Sequence, residues 1–344
     1  MTFLFSRRCG RVAAFVLSIA SVALIATGSG GLSPNASART SSAQTATLVL
    51  PDQPGLWATP LLIAQARFFK QEGLNVKFAT ANGSGGVTEA LIAGSGQFGI
   101  AGASGVGIAA AKGYGLVSVL SLNHDETAVL VVPKNSPIHS VKDLRGKQVG
   151  ITALSDGSVP IVSAILTGVG LTPGTDVHLV VVGNGGPAVA SALQSGQIAA
   201  FAGGASDMAG LVVGGHLPVR SIMPARWVGL PSDMLVVSKN TLATASGRET
   251  AIKLGRGWIE GARFGIQHPT QAVVLGCSVV PANCVPKAAG VYAAKASLTD
   301  TVLKPRPGFT TLSKVTLEMK VLGLSGKFNI PQVFSNAYVA AMNK

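Results

Sequence analysis

From Thr47 onward, short uncharged apolar runs alternate with stretches whose apolar positions recur at helical spacing, and Gly, Pro, Ser and Asn punctuate the joins. Thr47-Leu48-Val49-Leu50 reads as an opening strand, and Pro51 to Thr59 as a loop that carries Trp57. Pro60 then suits the first turn of a helix, because its missing N–H has no intrahelical partner there. Leu61, Leu62, Ala64, Phe68 and Phe69 give that helix an apolar face, and Gly73 stops it. The spacing next predicts a strand over Val76–Ala79 and a turn at Asn82-Gly83-Ser84-Gly85-Gly86. A helix over Val87–Ala93, a strand over Phe98–Ala101, a helix entered at Ala103-Ser104 and a strand over Leu116–Leu122 follow. This alternation implies a mostly parallel sheet with helices on its faces.

The second hundred residues repeat the pattern. Strands are expected over Gln148–Ile151, Val177–Val182 and Ala199–Ala202, with helices opened by Ser155–Pro160, by Asn184-Gly185-Gly186-Pro187 and at Ser206-Asp207. Two pairs of segments echo each other. Ala90-Leu91-Ile92-Ala93-Gly94 leading to Gly102-Ala103-Ser104 matches Ala192-Leu193-Gln194-Ser195-Gly196 leading to Gly204-Ala205-Ser206, and Leu130-Val131-Val132 matches Leu235-Val236-Val237. Internal symmetry of this kind points to two similar lobes, although an Ala- and Gly-rich chain also generates chance likeness. The last third is helical in pattern and is expected to pack back on the first lobe.

The first residues read as an export address. Arg7, Arg8 and Arg11 precede an uncharged apolar run from Val12 to Ala26, and Ala36-Ser37-Ala38 supplies a small-x-small cleavage pattern. The run is short for a membrane span, which needs about 20 residues. Cleavage near Ala38 is expected, with residues 1–38 as signal peptide and a periplasmic destination. The formal charge of +13 falls to +10 once those three arginines leave. Basic residues are scattered, without the clustered Lys/Arg and interleaved aromatics of a nucleic-acid surface. Such charge steers anions or only aids solubility. Cys277 and Cys284 remain in the exported part, and in an oxidising compartment they are expected to pair; a two-cysteine metal pair is the alternative, but two ligands do not complete a site.

Several motifs together resemble the ABC-transporter solute-binding proteins of the sulfonate/nitrate/taurine-like group. These are Pro60, Ala64 and Phe68-Phe69; Glu72-Gly73-Leu74 with Val76; Ala90-Leu91 with Gly94; Ser140-Val141, Asp143-Leu144, Gly146-Lys147 and Val149-Gly150; and Ala192-Leu193 with Gly196-Gln197-Ile198. Gln97 and Ala199 depart from the family pattern, which often has Asp at those strand starts. The resemblance covers most of residues 45 to 330. It implies an α/β, two-lobed type II periplasmic-binding fold, each lobe a mostly parallel sheet flanked by helices, joined by two crossing strands. On that expectation 45–130 and 238–344 form a discontinuous first lobe, and 131–237 form the second, crossing strands included. It further implies a monomer without a cofactor that delivers a small solute to an inner-membrane permease.

In open α/β sheets ligands sit beyond the carboxyl ends of the strands, and helix N-termini there offer free N–H groups to an anion. The candidate ligand-binding residues are therefore Trp57 and Thr59; Gly83 and Ser84; Ala103 and Ser104; Ser155, Asp156, Gly157 and Ser158; Gly185; Ala205 and Ser206; and Trp227. The serines serve equally well as N-caps, which need the same residues in the same places. Trp57 and Trp227 cover an apolar part of a ligand or pack in the core. Asp52, Asp156 and Asp207 receive an amine or cap helices, and His124-Asp125-Glu126 forms a loop at the end of the first lobe's strands. A small polar, anionic cargo is the expectation. A binder of a thiamine-pyrimidine precursor, or a related synthase-like enzyme of the same fold, is the alternative. The enzyme reading is disfavoured by only two cysteines beyond the expected signal, five histidines and the lack of HExxH, GxSxG or P-loop patterns.

Overall fold

The computed structural model describes residues 43–123, 129–227, 229–285, 287–299 and 301–344. The signal segment and His124-Asp125-Glu126 lie outside these residues.

Apolar side chains on both faces explain the continuous hydrophobic strands, because each sheet is covered on two sides. In β1 (Gln44–Leu50), Leu48 and Leu50 join one core and Val49 the core on the opposite face. The first sheet has the order β2-β1-β3-β10-β4, with β2 (Leu74–Thr80), β3 (Phe98–Gly102), β4 (Leu116–Ser121) and β10 (Asp233–Ser238). The second has the order β7-β6-β8-β5-β9, with β5 (Val129–Pro133), β6 (Lys147–Ile151), β7 (Val177–Val181), β8 (Ala200–Gly203) and β9 (Val219–Ser221).

The two orders superimpose strand for strand. In each, two parallel neighbours flank a central strand, and the fourth strand runs antiparallel. That fourth strand is the crossing segment, β10 in one sheet and β5 in the other, so Leu235-Val236-Val237 and Leu130-Val131-Val132 occupy equivalent places. A crossing strand completes the sheet it enters, so Met234–Val237 belongs to the first sheet, and the second begins at Val129 rather than residue 131.

The helix α1 (Thr59–Ile63) continues through a π turn (Ala64–Phe68) into α2 (Phe69–Gln71). α3 (Gly83–Ile92) and α4 (Ala103–Ala111) cover the other face of the first sheet. In the second lobe, α5 (Ser158–Thr167) lies on one face, and α6 (Pro187–Gln194) and α7 (Ala205–Ala209) on the other. The C-terminal part supplies α8 (Lys239–Ala243), α9 (Ala245–Gln267), α10 (Pro269–Val279), α11 (Lys287–Thr299), α12 (Leu312–Val321), α13 (Ile330–Val333) and α14 (Val339–Met342). It packs on the first lobe through α9 and also meets α7 of the second lobe through α11. α9 lies against α1, and a Cβ at Gly261 would come within 2.2 Å of the Pro60 carbonyl oxygen. Cys277 and Cys284 form a disulfide with Cα atoms 5.9 Å apart. α3 begins four residues before the expected helix, because the glycine run read as a turn is its first turn.

Candidate functional site

The carboxyl ends of β1, β3, β6 and β8 meet between the two sheets and enclose a cavity of about 140 Å³. A cavity of ~150 Å³ admits a molecule the size of benzene, so this one suits a small solute. The first lobe contributes Pro51, Asp52, Trp57, Ser84, Gly102, Ala103 and Ser104, and the second contributes Thr152, Asp156, Gly157, Ile161, Asn184, Gly204 and Asp207. Asn123, Leu230, Pro231, Ser232 and Asp233 line it from the crossing segments, and Ser297 and Glu318 from the C-terminal helices.

Hydrogen bonds tie the lobes together around it. Ser104 Oγ donates to the Gly157 carbonyl at 3.0 Å, Gly85 N–H to the Ser155 carbonyl at 3.3 Å, and Asn184 Nδ2 to Asp52 Oδ2 at 3.0 Å. Gly83 adopts φ +68°, and a Cβ there would come within 2.3 Å of the Ser155 carbonyl oxygen. Only glycine meets both demands, the left-handed backbone and the close approach of the other lobe. A small apolar contact adds to these bonds: Ala209 of α7 packs with Leu56, Leu62 and with Ala293 and Ala294 of α11.

Each lobe closes its central loop differently. In the first, Gly102 N–H donates to Ser84 Oγ at 2.9 Å. In the second, Gly204 N–H donates to Asp207 Oδ2 at 2.8 Å, and Gly185 N–H to Asp207 Oδ1 at 2.6 Å. Asp207 thus reaches back to the N-cap N–H of its own helix, as the acidic member of a capping box does. Burial pushes its carboxyl up to about 6 although both N–H bonds pull it down, and the charges of Asp156 and Asp52 push the same way. Asp156 Oδ1 accepts from Ser158 N–H at 2.8 Å. Burial pushes Asp233 up to about 7, with Asp156 adding to the shift.

The charge of the lining bears on the expected anionic cargo. Three N–H groups at the first turns of α3 and α4 already donate to the protein: Gly83 N–H to the Pro51 carbonyl at 2.7 Å, Gly85 N–H to Ser155, and Ala103 N–H to the Ser232 carbonyl at 3.1 Å. Four aspartates line the cavity, and among the described residues no Lys, Arg or His side chain does. No group of His, Cys, Asp and Glu among the described residues is arranged to hold a metal ion.

Of the residues singled out from the sequence, Trp57, Ser84, Ala103, Ser104, Asp156 and Gly157 line the cavity. Trp57 is held at its rim, its Nε1 donating to the Gln53 carbonyl at 3.1 Å. Four others support the walls. Gly83 and Gly185 sit behind them in the close contacts just described, Ser158 is buried beneath Asp156, and Ser155 lines a second groove on the far side of the lobe contact. The Ala205 and Ser206 side chains lie outside the described residues, although their backbone opens α7. Two expectations fail. Trp227 is 2% exposed and belongs to the second lobe's core, where a large apolar ring gains more from burial than from a polar cleft. Thr59 is fully buried, its Oγ1 donating to the Leu56 carbonyl at 2.7 Å, so it fixes the loop before α1 and does not reach the cavity.

The sequence reading missed Asn123, Ser232 and Asp233. The available signal was position: Ser232 and Asp233 directly precede the crossing strand Met234–Val237.

No curated protein matches the sequence significantly. Among solved structures, a protein of Bordetella bronchiseptica RB50 superimposes with TM-score 0.70 at 21% identity, covering 88% of this chain and 98% of that one. The periplasmic aliphatic sulphonate binding protein SsuA from Escherichia coli gives TM-score 0.62 at 20% identity, over 85% of this chain and 92% of that one. The alkanesulfonate-binding protein SsuA from Xanthomonas axonopodis pv. citri, bound to MOPS, gives 0.61 at 16% identity, over 87% and 97%. At these identities the likeness shows a shared fold, that of two-lobed periplasmic binding proteins. The sequence pattern described as NMT1/THI5 like matches residues 57–272, more than half of the chain. The chain therefore belongs to the NMT1/THI5-like family.

Proposed function

We propose that this protein is the exported solute-binding component of an ABC importer, which takes a small polar molecule between its lobes and delivers it to an inner-membrane permease. The observation that carries this reading is the polar cavity at the strand ends, walled by loops from both sheets. A solute that touches both walls does so only when the lobes are together, so binding favours the closed state and marks it for the permease. The apolar run after Arg11 and the Ala36-Ser37-Ala38 pattern support export to the periplasm, and on this reading the protein acts there as a monomer without a cofactor. No helix among the described residues is long and apolar enough to cross a membrane.

Binding is favoured over catalysis because the described cysteines are paired, which leaves no described thiol as a nucleophile. Sulfonates are the ligands named for two relatives of the same fold, and here they would meet carboxylates rather than free N–H groups. The alternative of a thiamine-pyrimidine precursor gains support from Trp57 beside the aspartates, a setting for a flat ring bearing amino groups.

The test is thermal unfolding of purified protein against sulfonates, nitrate, amines and aminopyrimidines, with each solute recovered and weighed by mass spectrometry. A true ligand at 100 times its Kd stabilises by ~2.7 kcal/mol and is recovered unchanged. Chemical conversion of a solute would replace the receptor reading with an enzymatic one.

A further inference from the structure

The four cavity aspartates are not equally provided for. Asp207 accepts two short backbone N–H bonds, and Asp52 accepts from Gln53 N–H at 2.7 Å and from Asn184. Both are structural anions with partners of their own. Asp156 has one backbone donor, the Ser158 N–H. Asp233 receives a single side-chain hydrogen bond, from Asn123 Nδ2, at the long distance of 3.5 Å. Next to it, Ser232 is 3% exposed, lines the same cavity, and its Oγ has no hydrogen-bond partner. Buried polar atoms in native proteins are normally satisfied, and a buried carboxylate without a partner is costly. An under-bonded carboxylate, a second carboxylate acting on it and an unpartnered hydroxyl therefore face one small cavity.

We propose that the cargo carries a cationic nitrogen, an ammonium or amidinium group, held by Asp233 and Asp156, with Ser232 Oγ accepting a further N–H. This rests on the receptor reading and names its solute class. A cation bearing several N–H donors satisfies both carboxylates and the hydroxyl at once, and its charge offsets their mutual repulsion. The same seat disfavours a sulfonate or nitrate, which would bring a further negative charge against the aspartates. Trp57 at the rim provides a face on which the rest of such a cation can pack.

The experiment uses purified protein, unfolded and refolded to strip any carried solute. Calorimetry and thermal unfolding at pH 8 compare matched probes: butylamine, putrescine and benzamidine as cations, butanol and benzamide as neutral partners, butanesulfonate and nitrate as anions. At least one cation is expected to bind where its neutral partner and the anions do not. Asp233→Asn should weaken that probe at least tenfold, while Glu249→Gln, at an exposed position of α9, leaves it unchanged. Asp233→Asn removes a half-buried charge without changing shape, so an undiminished Tm will show that the variant is folded. Failure of every cation to bind would overturn the proposal, as would an affinity that Asp233→Asn leaves intact. A sulfonate or neutral probe that binds and draws the lobes together would sink the charge assignment while leaving the receptor reading in place. Conversion of any probe would sink the receptor reading itself.

Discussion

Gly102-Ala103-Ser104 and Gly204-Ala205-Ser206 share a sequence and a place in their sheets, yet different side chains fasten them. In the first lobe a neutral serine, Ser84, receives the Gly102 N–H. In the second lobe the residue equivalent to Ser84 is Gly186, which has no hydroxyl, and Asp207 accepts the loop N–H groups instead. The same backbone need is met once by a dipole and once by a charge. A repeated architecture thus does not repeat the electrostatics of its loops.

Removing each fastener separately breaks the comparison most directly. Asp207→Ala orphans two buried N–H groups that now make charge-assisted bonds, and a loss of about 3 kcal/mol is expected in urea unfolding. A loss no larger than that for Ser84→Ala would show that the two loops are energetically alike. The pH dependence comes next in size. Asp207 and Asp233 have folded pKa values of about 6 and about 7, above their ordinary 3.8, so the native state holds more protons than the unfolded chain between these limits. Their contribution to stability is therefore full below about pH 4 and lost as pH rises through 6 to 7. Scanning calorimetry of the solute-free protein should show Tm falling from pH 5 to pH 6, by an amount on the order of 2 kcal/mol in stability. The doubly neutral Asp207→Asn, Asp233→Asn variant should flatten that slope, and an unchanged slope would place the titration elsewhere.

Ser84→Ala removes one neutral acceptor from a buried N–H and should cost about 1 kcal/mol. The smallest effect is expected outside both loops. Asn283, between the paired cysteines, accepts the Leu56 N–H at 3.2 Å and so steadies the segment that carries Trp57. Asn283→Ala should cost ~0.5–1 kcal/mol in stability and weaken solute binding slightly, with no effect on the disulfide in a thiol assay.

The sheets, their flanking helices and the doubling of the chain were legible because they follow from local pattern: apolar runs of strand length, glycine stops and the paired Leu-Val-Val segments. Six cavity residues were legible for the same reason, since each sits at a strand end. The polarity of the site was not. Free helix N-termini were inferred one helix at a time, whereas Gly85 donates to Ser155 in the other lobe and Ala103 to the Ser232 carbonyl far along the chain. Asp233 was hidden in the same way, because it enters the cavity only when β10 crosses back into the first sheet. Trp227 shows the converse: a tryptophan near a crossing looks available to a ligand until the second core is seen to enclose it.

The contact of Ala209 with Ala293 and Ala294 has a consequence for how readily the halves part. A buried methyl or methylene group contributes ~0.8 kcal/mol, so a seam of alanines acts as a weak latch. A leucine in place of Ala209 would add to the contact already made with Leu56 and Leu62, and a charged residue there would oppose it. On the proposed receptor reading, a second lobe that brings only the Ala209 methyl group to this cluster keeps the apolar part of the clasp weak, so one small guest can tip the balance between parted and clasped halves.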